Sequence, residues 1–559
     1  MITQLDQVLT HLGTGAWNIL TFSLICYNAF LLVPHSLGAA FLAPRVDFVC
    51  RDAEILEVTA SATRNNLTSD SLVLQDQCSY VVNQTTVKCT TWDFDNSTFA
   101  STVTSEYQLV CDREYLRALY QSIYMFGIFS GAFFSSYSCD KFGRKIVIVV
   151  GVLLCIVLTL SSCWLPTLSL ILISRYFVGT INSLIHSASF VMAMELAEPR
   201  VRTVLGFIVG VMWALGIPAW TGLAYLLREW RLLQFVASLP GLLMLPLIMF
   251  IDESPRWLMV QGRHSEALKV LRRASRLNKV PLPPEDELLQ MMANMVPPEE
   301  GASSTTSTVT STILKSLREI TILVRTPRLR AITVILCLDF IILALVYYGL
   351  SLSGGSLSND PFVYMVLTGL MEIPAYTLTI PIVMRFGRRL PSVVSFMTSG
   401  FMLIFMALTP AAYGWVVMTF AMVGKVTISA AFQIIIIYCN ELYPTEVRSR
   451  GFGTSFMMSR IGSIVSPFII DLLGRRHPWV PSVLFGVVSL VAGASTLNLP
   501  ETKGTTMIDT IAQFEAPSEK SPSRSYWLNI KRKMSRVHSK SGYVSKDNSP
   551  TCDSLKGDH

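Results

Sequence analysis

The chain is 559 residues long, 51% apolar and only 15% charged, with a mean hydropathy of +0.48. A soluble domain carries roughly 25% charged residues, so the several water-soluble domains that length alone would suggest are excluded. The net charge of +7 is not read as a nucleic-acid surface, because the basic residues sit in short segments beside apolar stretches, where they fix membrane orientation.

In chain order, residues 1–15 are a short N-terminus. No basic segment precedes the apolar stretch Ala16–Leu42, which is long enough to span, so it is read as a retained helix and not a cleaved signal. Twelve spans follow at 16–42, 116–138, 146–165, 168–194, 204–227, 232–251, 330–350, 362–384, 391–410, 414–439, 452–473 and 481–499. Each approaches the ~20 residues needed to cross a ~30 Å hydrocarbon layer. The expected architecture is an all-α membrane protein. An N-terminal six-helix bundle covers 16–251 and a C-terminal one 330–499, with a cytosolic loop at 252–329 and a largely disordered cytosolic tail at 500–559.

The loop after the first span, residues 43–115, carries eleven acids against five Lys/Arg. It also holds Cys50, Cys78, Cys89 and Cys111, and three glycosylation sequons at Asn66, Asn83 and Asn96. Cysteines and sequons together predict a disulfide-stapled extracellular loop. Zinc is disfavoured, since the loop has no CxxC spacing and no histidine. Four cysteines allow three pairings, and all three stay open. The short loops at 140–145, 195–202, 384–389 and 441–450 are dominated by Lys and Arg. The positive-inside rule places them, and both termini, in the cytosol. Between spans six and seven, Arg263–Lys279 reads as an amphipathic surface helix and Ser303–Thr312 as a Ser/Thr linker.

Three charged signatures recur at nearly constant separation. Asp140-Lys-Phe-Gly143-Arg144-Lys145 returns as Met384-Arg-Phe-Gly387-Arg388-Arg389, Glu195…Arg202 returns as Glu441…Arg448, and Glu253 returns as Glu501, at offsets of 244, 246 and 248. A duplicated apolar array with charged loops in register is the mark of a two-half membrane carrier.

These signatures, taken with the four-cysteine loop, Glu253-Ser-Pro-Arg-Trp-Leu258, Val346-Tyr-Tyr-Gly349, Glu441-Leu-Tyr-Pro-Thr445 and Pro500-Glu-Thr-Lys-Gly504, resemble the major facilitator superfamily, and within it the organic cation, anion and zwitterion transporters. The resemblance covers nearly the whole chain. It implies an alternating-access carrier whose two bundles rock around a central site. Two departures stand out: Ser136 where the family's first signature has glycine, and Met384 where the second copy would have aspartate.

Gating is assigned to Asp140, Gly143, Arg144, Lys145, Glu195, Arg202, Glu253, Arg256, Glu441, Arg448, Arg450 and Glu501. Carboxylate–guanidinium pairs between the halves would hold the cytosolic side shut; the alternative is that these charges only set topology. Ionisable residues inside spans are costly and usually face a cavity, which singles out Glu372, Arg460, Lys425 and Asp339 for the substrate. Glu372 suits an ammonium group and Arg460 a carboxylate, and the two together look most like the carnitine-type branch. A structural ion pair between Glu372 and Arg460 or Lys425, and Asp339 merely neutralising Lys425, are the competing readings. Tyr347, Tyr348, Tyr376, Trp213 and Phe30 offer aromatic faces to a cation, and Gln433 and Asn28 offer hydrogen bonds. Arg175 and His186 are read as structural.

No Walker A loop, HExxH or GxSxG motif is present, and neither enzyme activity nor a cofactor is expected. The expected function is monomeric plasma-membrane transport of small organic cations or zwitterions such as carnitine, betaine, β-alanine or carcinine-like amines, with sodium or protons as possible coupling ion. An organic anion exchanger is the alternative, and a non-transporting receptor the remote one.

Overall fold

The computed structural model describes residues 4–52, 72–82, 85–198, 201–293, 321–357, 360–410, 412–504 and 508–515. The first half contains α1 (Gln4–Leu12), α2 (Ala16–Ser36), α3 (Tyr115–Phe142), α4 (Arg144–Ser162), α5 (Leu168–Leu196), α6 (Arg202–Leu226) and α7 (Trp230–Ser238). The last of these continues through the tighter turn Leu239–Leu243 into Met244–Met249. A surface helix, α8 (His264–Asn278), follows. The second half contains α9 (Pro327–Leu352), α10 (Pro361–Phe386), α11 (Arg389–Leu408), α12 (Gly414–Leu442), α13 (Arg448–Phe468) and α14 (Val480–Thr496).

Among the described residues, ten helical segments are long and apolar enough to cross a membrane. Two of the twelve expected spans fall short of that measure. Helix α3 carries Arg117, Gln121, Asp140 and Lys141, and α14 has only 17 residues. The lipid-facing surface explains the composition. On α4, Ile146, Val150, Leu153, Leu154 and Val157 are all 47–62% exposed, while Val147, Ile148, Val152 and Ile156 pack inward. A helix apolar on both faces is stable only where its outer face also avoids water.

Helices α3 and α5 approach backbone to backbone. A Cβ on Gly127 would lie 2.2 Å from the Tyr176 carbonyl, and one on Gly179 2.3 Å from the Tyr124 carbonyl. Small residues at such crossings replace the missing hydrophobic drive with close van der Waals contact.

The expected surface helix forms at His264–Asn278, with Ala267, Leu268, Leu271 and Ala274 buried. Helix α1 was not expected. It buries Leu5, Val8, Leu9 and Leu12 in the same core cluster as α8, and Asp6 pairs with Arg256 at 3.2 Å. Its i, i+3, i+4, i+7 spacing was legible but too short to stand out among the spans.

In the loop 43–115, β1 (Phe48–Cys50) and β5 (Trp92–Phe94) pair antiparallel, and β2 (Leu72–Asp76), β3 (Ser79–Val82) and β4 (Thr85–Lys88) form a three-stranded meander. The disulfides are Cys50–Cys89 and Cys78–Cys111, one of the three pairings left open. Asn96 is exposed, beside a turn in which Asp95 accepts the Ser97 amide at 2.9 Å. Asn66, Asn83, the Ser303–Thr312 segment and the tail beyond 515 lie outside the described residues.

Candidate functional site

The face carrying the 43–115 loop is called here the loop face, and the opposite one the signature face. On the signature face the sequence repeat becomes a structural repeat. Gly143 (φ +92°) and Gly387 (φ +87°) end α3 and α10 with left-handed turns, and each exposes two backbone amides. Glu253 accepts from Arg144 N (3.0 Å) and Lys145 N (3.1 Å). Glu501 accepts from Arg388 N (2.9 Å) and Arg389 N (3.0 Å). A Cβ on Gly143 would stand 2.5 Å from Glu253 Oε2, and one on Gly387 2.7 Å from Glu501 Oε2. Both dihedral and approach therefore demand glycine.

The side chains repeat too. Arg144 pairs with Glu195 at 3.1 Å and Asp140 at 3.3 Å, and Arg388 pairs with Glu441 at 2.6 Å. Each of these pairs joins residues of one half, not of opposite halves as the gating expectation had it. Arg448 donates to Thr445 at 3.1 Å, Arg450 is exposed, and the Arg202 side chain lies outside the described residues. Burial pushes the Glu253 carboxyl above its ordinary range against three backbone N–H groups and Arg144. Burial acts the same way on Glu501, but four backbone N–H groups outweigh it and hold the carboxyl below that range.

Between the halves, at mid-depth, lies a second cluster. Glu372 and Lys425 pair at 3.1 Å with both side chains 0% exposed. The contact lies outside hydrogen-bond geometry, since Glu372 Oε1 accepts no hydrogen bond among the described residues. Glu372 Oε2 takes one from Tyr376 at 3.0 Å. Lys425 donates to Ser351 (2.6 Å) and to the Tyr347 carbonyl (3.3 Å), and sits 3.1 Å from the Tyr347 ring centre. Trp213 reaches across from the first half to the Tyr347 hydroxyl at 2.9 Å. Gln433 Nε2 faces Gly210 of the first half beside the Tyr376 ring.

Arg460 is half-buried. It lies next to the Tyr348 hydroxyl, over the Phe456 ring at 5.2 Å, and opposite His186 of α5. No described carboxylate lies within ion-pair distance of it. Glu372 and Lys425 cancel, −1 and +1, so Arg460 is the charge left over in this space.

The structure thus gathers Glu372, Lys425, Tyr347, Tyr348, Tyr376, Trp213, Gln433 and Arg460. Asp339 is a correction. It is buried, accepts from Ser495 (3.1 Å) and Thr496 (3.0 Å) of α14, and stays inside the second half, away from Lys425. Asn28 is another: it lines a cavity within the first half with His35 and Asn182. Phe30 is half-buried, its carbonyl close to Gly216. Arg175 behaves as expected, donating to Tyr120 O (3.0 Å) and His35 O (3.2 Å).

Sequence reasoning overlooked the loop face. Three described ion pairs join the two halves, and all three are there: Arg117–Asp471 (2.5 Å), Arg45–Asp471 (3.8 Å) and Arg475–Glu114 (3.0 Å). Arg45 also donates to the Ile470 carbonyl at 2.8 Å, Ser122 to the Ile464 carbonyl at 2.7 Å, and Arg475 to Cys78 Sγ at 2.7 Å. Phe362 stacks on Phe41 at 5.2 Å. Arg117 and Asp471 sit within expected spans, so the rule that flagged Glu372 would have found them.

Comparison with known proteins agrees with this architecture. The family model for sugar (and other) transporters matches residues 79–514. An organic cation transporter protein of Drosophila melanogaster is 31% identical over 91% of this chain and 94% of its own length. Human solute carrier family 22 member 13 is 33% identical over 80% and 78%, and human organic cation/carnitine transporter 2 is 31% identical over 76% and 73%. The partially occluded, inward-open xylose transporter XylE of E. coli shares the fold at a TM-score of 0.59 and 16% identity, over 88% of this chain and all of that one. The chain belongs to the major facilitator superfamily of membrane transporters, in the family of organic cation, anion and zwitterion carriers.

Proposed function

We propose that the chain is a plasma-membrane carrier of small organic solutes that bear a carboxylate, zwitterions of the carnitine, betaine or β-alanine kind foremost. It works by alternating access as a monomer, with the loop 43–115 outside and both termini in the cytosol. The supporting observation is Arg460, a guanidinium between the halves with no carboxylate partner among the described residues. Its planar fork matches a substrate carboxylate bidentately, and the rings of Tyr348 and Phe456 beside it offer faces to an ammonium group. The inter-half ion pairs, all on the loop face, fit a conformation closed outside and open to the cytosol.

Organic anion exchange is the second reading. It is favoured because Lys425 already neutralises Glu372, which leaves less for a substrate cation.

The test is uptake of labelled carnitine, β-alanine, tetraethylammonium and p-aminohippurate, with and without sodium. In Arg460→Ala, carnitine uptake should fall at least about tenfold, the scale of one lost charge-assisted hydrogen bond, while tetraethylammonium uptake should change little. Equal loss of both substrates at normal surface expression would remove Arg460 from the site. Dominant p-aminohippurate uptake would select the second reading.

A further inference from the structure

The two halves enclose another cavity on the loop face, apart from Arg460 and Glu372. The room it offers to the centres of water-sized spheres is about 70 Å³, enough for a solute of a few heavy atoms. Arg45, Arg117 and Gln121 wall it from the first half, and Gly355, Pro467 and Asp471 from the second. Among its lining residues two guanidiniums, Arg45 and Arg117, stand against one carboxylate, Asp471, so 2 − 1 leaves one positive charge on the walls; Glu114 and Arg475 extend the ion pairs beyond the lining.

Several polar atoms here have no partner among the described residues. Arg117 spends Nη2 on Asp471 and leaves Nε unpaired; Arg45 spends Nη2 on the Ile470 and Asp471 carbonyls and also leaves Nε unpaired. Gln121 donates Nε2 to the Ser36 carbonyl at 2.6 Å and leaves Oε1 unpaired. Arg117 is 6% exposed and Gln121 1%. Leaving such buried atoms unsatisfied is unfavourable. Two donors on cations and one neutral acceptor define the missing ligand: an anion that also carries a donor.

We propose that this cavity binds a small carboxylate bearing a hydroxyl or amino group, its carboxylate on Arg117 and Arg45 and its donor on Gln121 Oε1. Both halves supply walls, so the site is complete only while the loop face is closed. By linkage an occupant stabilises that state. Resting on the alternating-access reading, the ligand is then a brake that slows uptake without being carried.

The probes are glycolate, acetate (the same carboxylate without the hydroxyl) and chloride, titrated against thermal unfolding of the full-length protein in lipid nanodiscs. Glycolate should stabilise the wild type about tenfold more potently than acetate, the scale of one buried hydrogen bond. Gln121→Leu should erase that preference while still binding both carboxylates, and Arg460→Ala should keep it. Should Gln121→Leu fail to fold, Gln121→Glu should lose both carboxylates by charge repulsion. Equal potency of glycolate and acetate, chloride matching glycolate, an unchanged preference in Gln121→Leu, undiminished binding in Gln121→Glu, or its loss in Arg460→Ala would each overturn the site. A protein that binds glycolate as described yet takes up none of the labelled panel would overturn the transport reading, and the brake with it, and spare the binding site.

Discussion

At Gly143 and at Gly387 the chain makes the same left-handed turn, follows it with the same arginine, and closes the same downstream glutamate over the two freed amides. The two carboxylates nevertheless end on opposite sides of their ordinary range. Glu253 is much the more deeply buried, so burial outweighs its three backbone donors and Arg144; at the shallower Glu501 burial weighs less, and four donors, Lys503 N at 3.0 Å among them, outweigh it. The arginines differ in the same sense. Arg144 and Glu195 are 10% and 13% exposed, and Arg388 and Glu441 are 23% and 18%. One scaffold used twice therefore gives a drier cluster in the first half and a wetter, better-capped one in the second.

The strongest way to break this comparison is at the arginines. Arg144→Ala strands Glu195 in the drier site and should cost about 3 kcal/mol. Arg388→Ala should cost less, because Thr502 still donates to its partner Glu441 at 2.6 Å, whereas Glu195 Oε2 has no hydrogen-bond partner among the described residues. Thermal unfolding of both variants in detergent checks the order; equal losses would mean that burial does not separate the halves. Next come the turns. Gly143→Ala and Gly387→Ala should each lose about 2 kcal/mol from backbone strain alone, with further loss from the glutamate standing where the methyl would go. If one substitution were harmless, the two turns would not share a plan.

Acid gives the smallest effect and the sharpest contrast. Glu501, with its pKa lowered by folding, contributes stability above the usual glutamate range and loses it as pH falls through its folded value. Glu253, with its pKa raised, favours the folded state more as it takes up a proton. As pH falls Glu253 should protonate first. Exchange-corrected amide protection at Arg388 and Arg389 should therefore weaken as pH falls through the Glu501 range, while that at Arg144 and Lys145 holds or rises. Weakening at Arg144 and Lys145 with Arg388 and Arg389 unchanged would contradict the account of the two carboxylates.

The ten long apolar helices and the doubled signatures were legible because membrane burial writes itself into twenty-residue apolar runs, and because a carboxylate that caps a turn must be a carboxylate in both copies. Partner choice was not. Arg144–Glu195 and Arg388–Glu441 needed the angle at which each bundle packs, which no one-dimensional offset carries. Asp339 looked like Glu372 in sequence, yet its side of α9 meets the Ser495 and Thr496 hydroxyls, whereas Glu372 on α10 meets Lys425. The pairings Cys50–Cys89 and Cys78–Cys111 likewise depend on strands that bring distant cysteines together. Ser351, which takes the shortest bond from Lys425, gave no signal at all, since a serine in a span is ordinary.

The reach of Arg475 to Cys78 and Glu114 has a mechanical consequence. Chain order hangs the disulfide-braced cap on one bundle, but this arm fastens it to the other. If the halves rock as proposed, a lid tied to both leaves cannot follow both, and each turnover would undo one fastening. The stiffness of that cap would then be a drag on the cycle, set by residues far from the proposed solute passage.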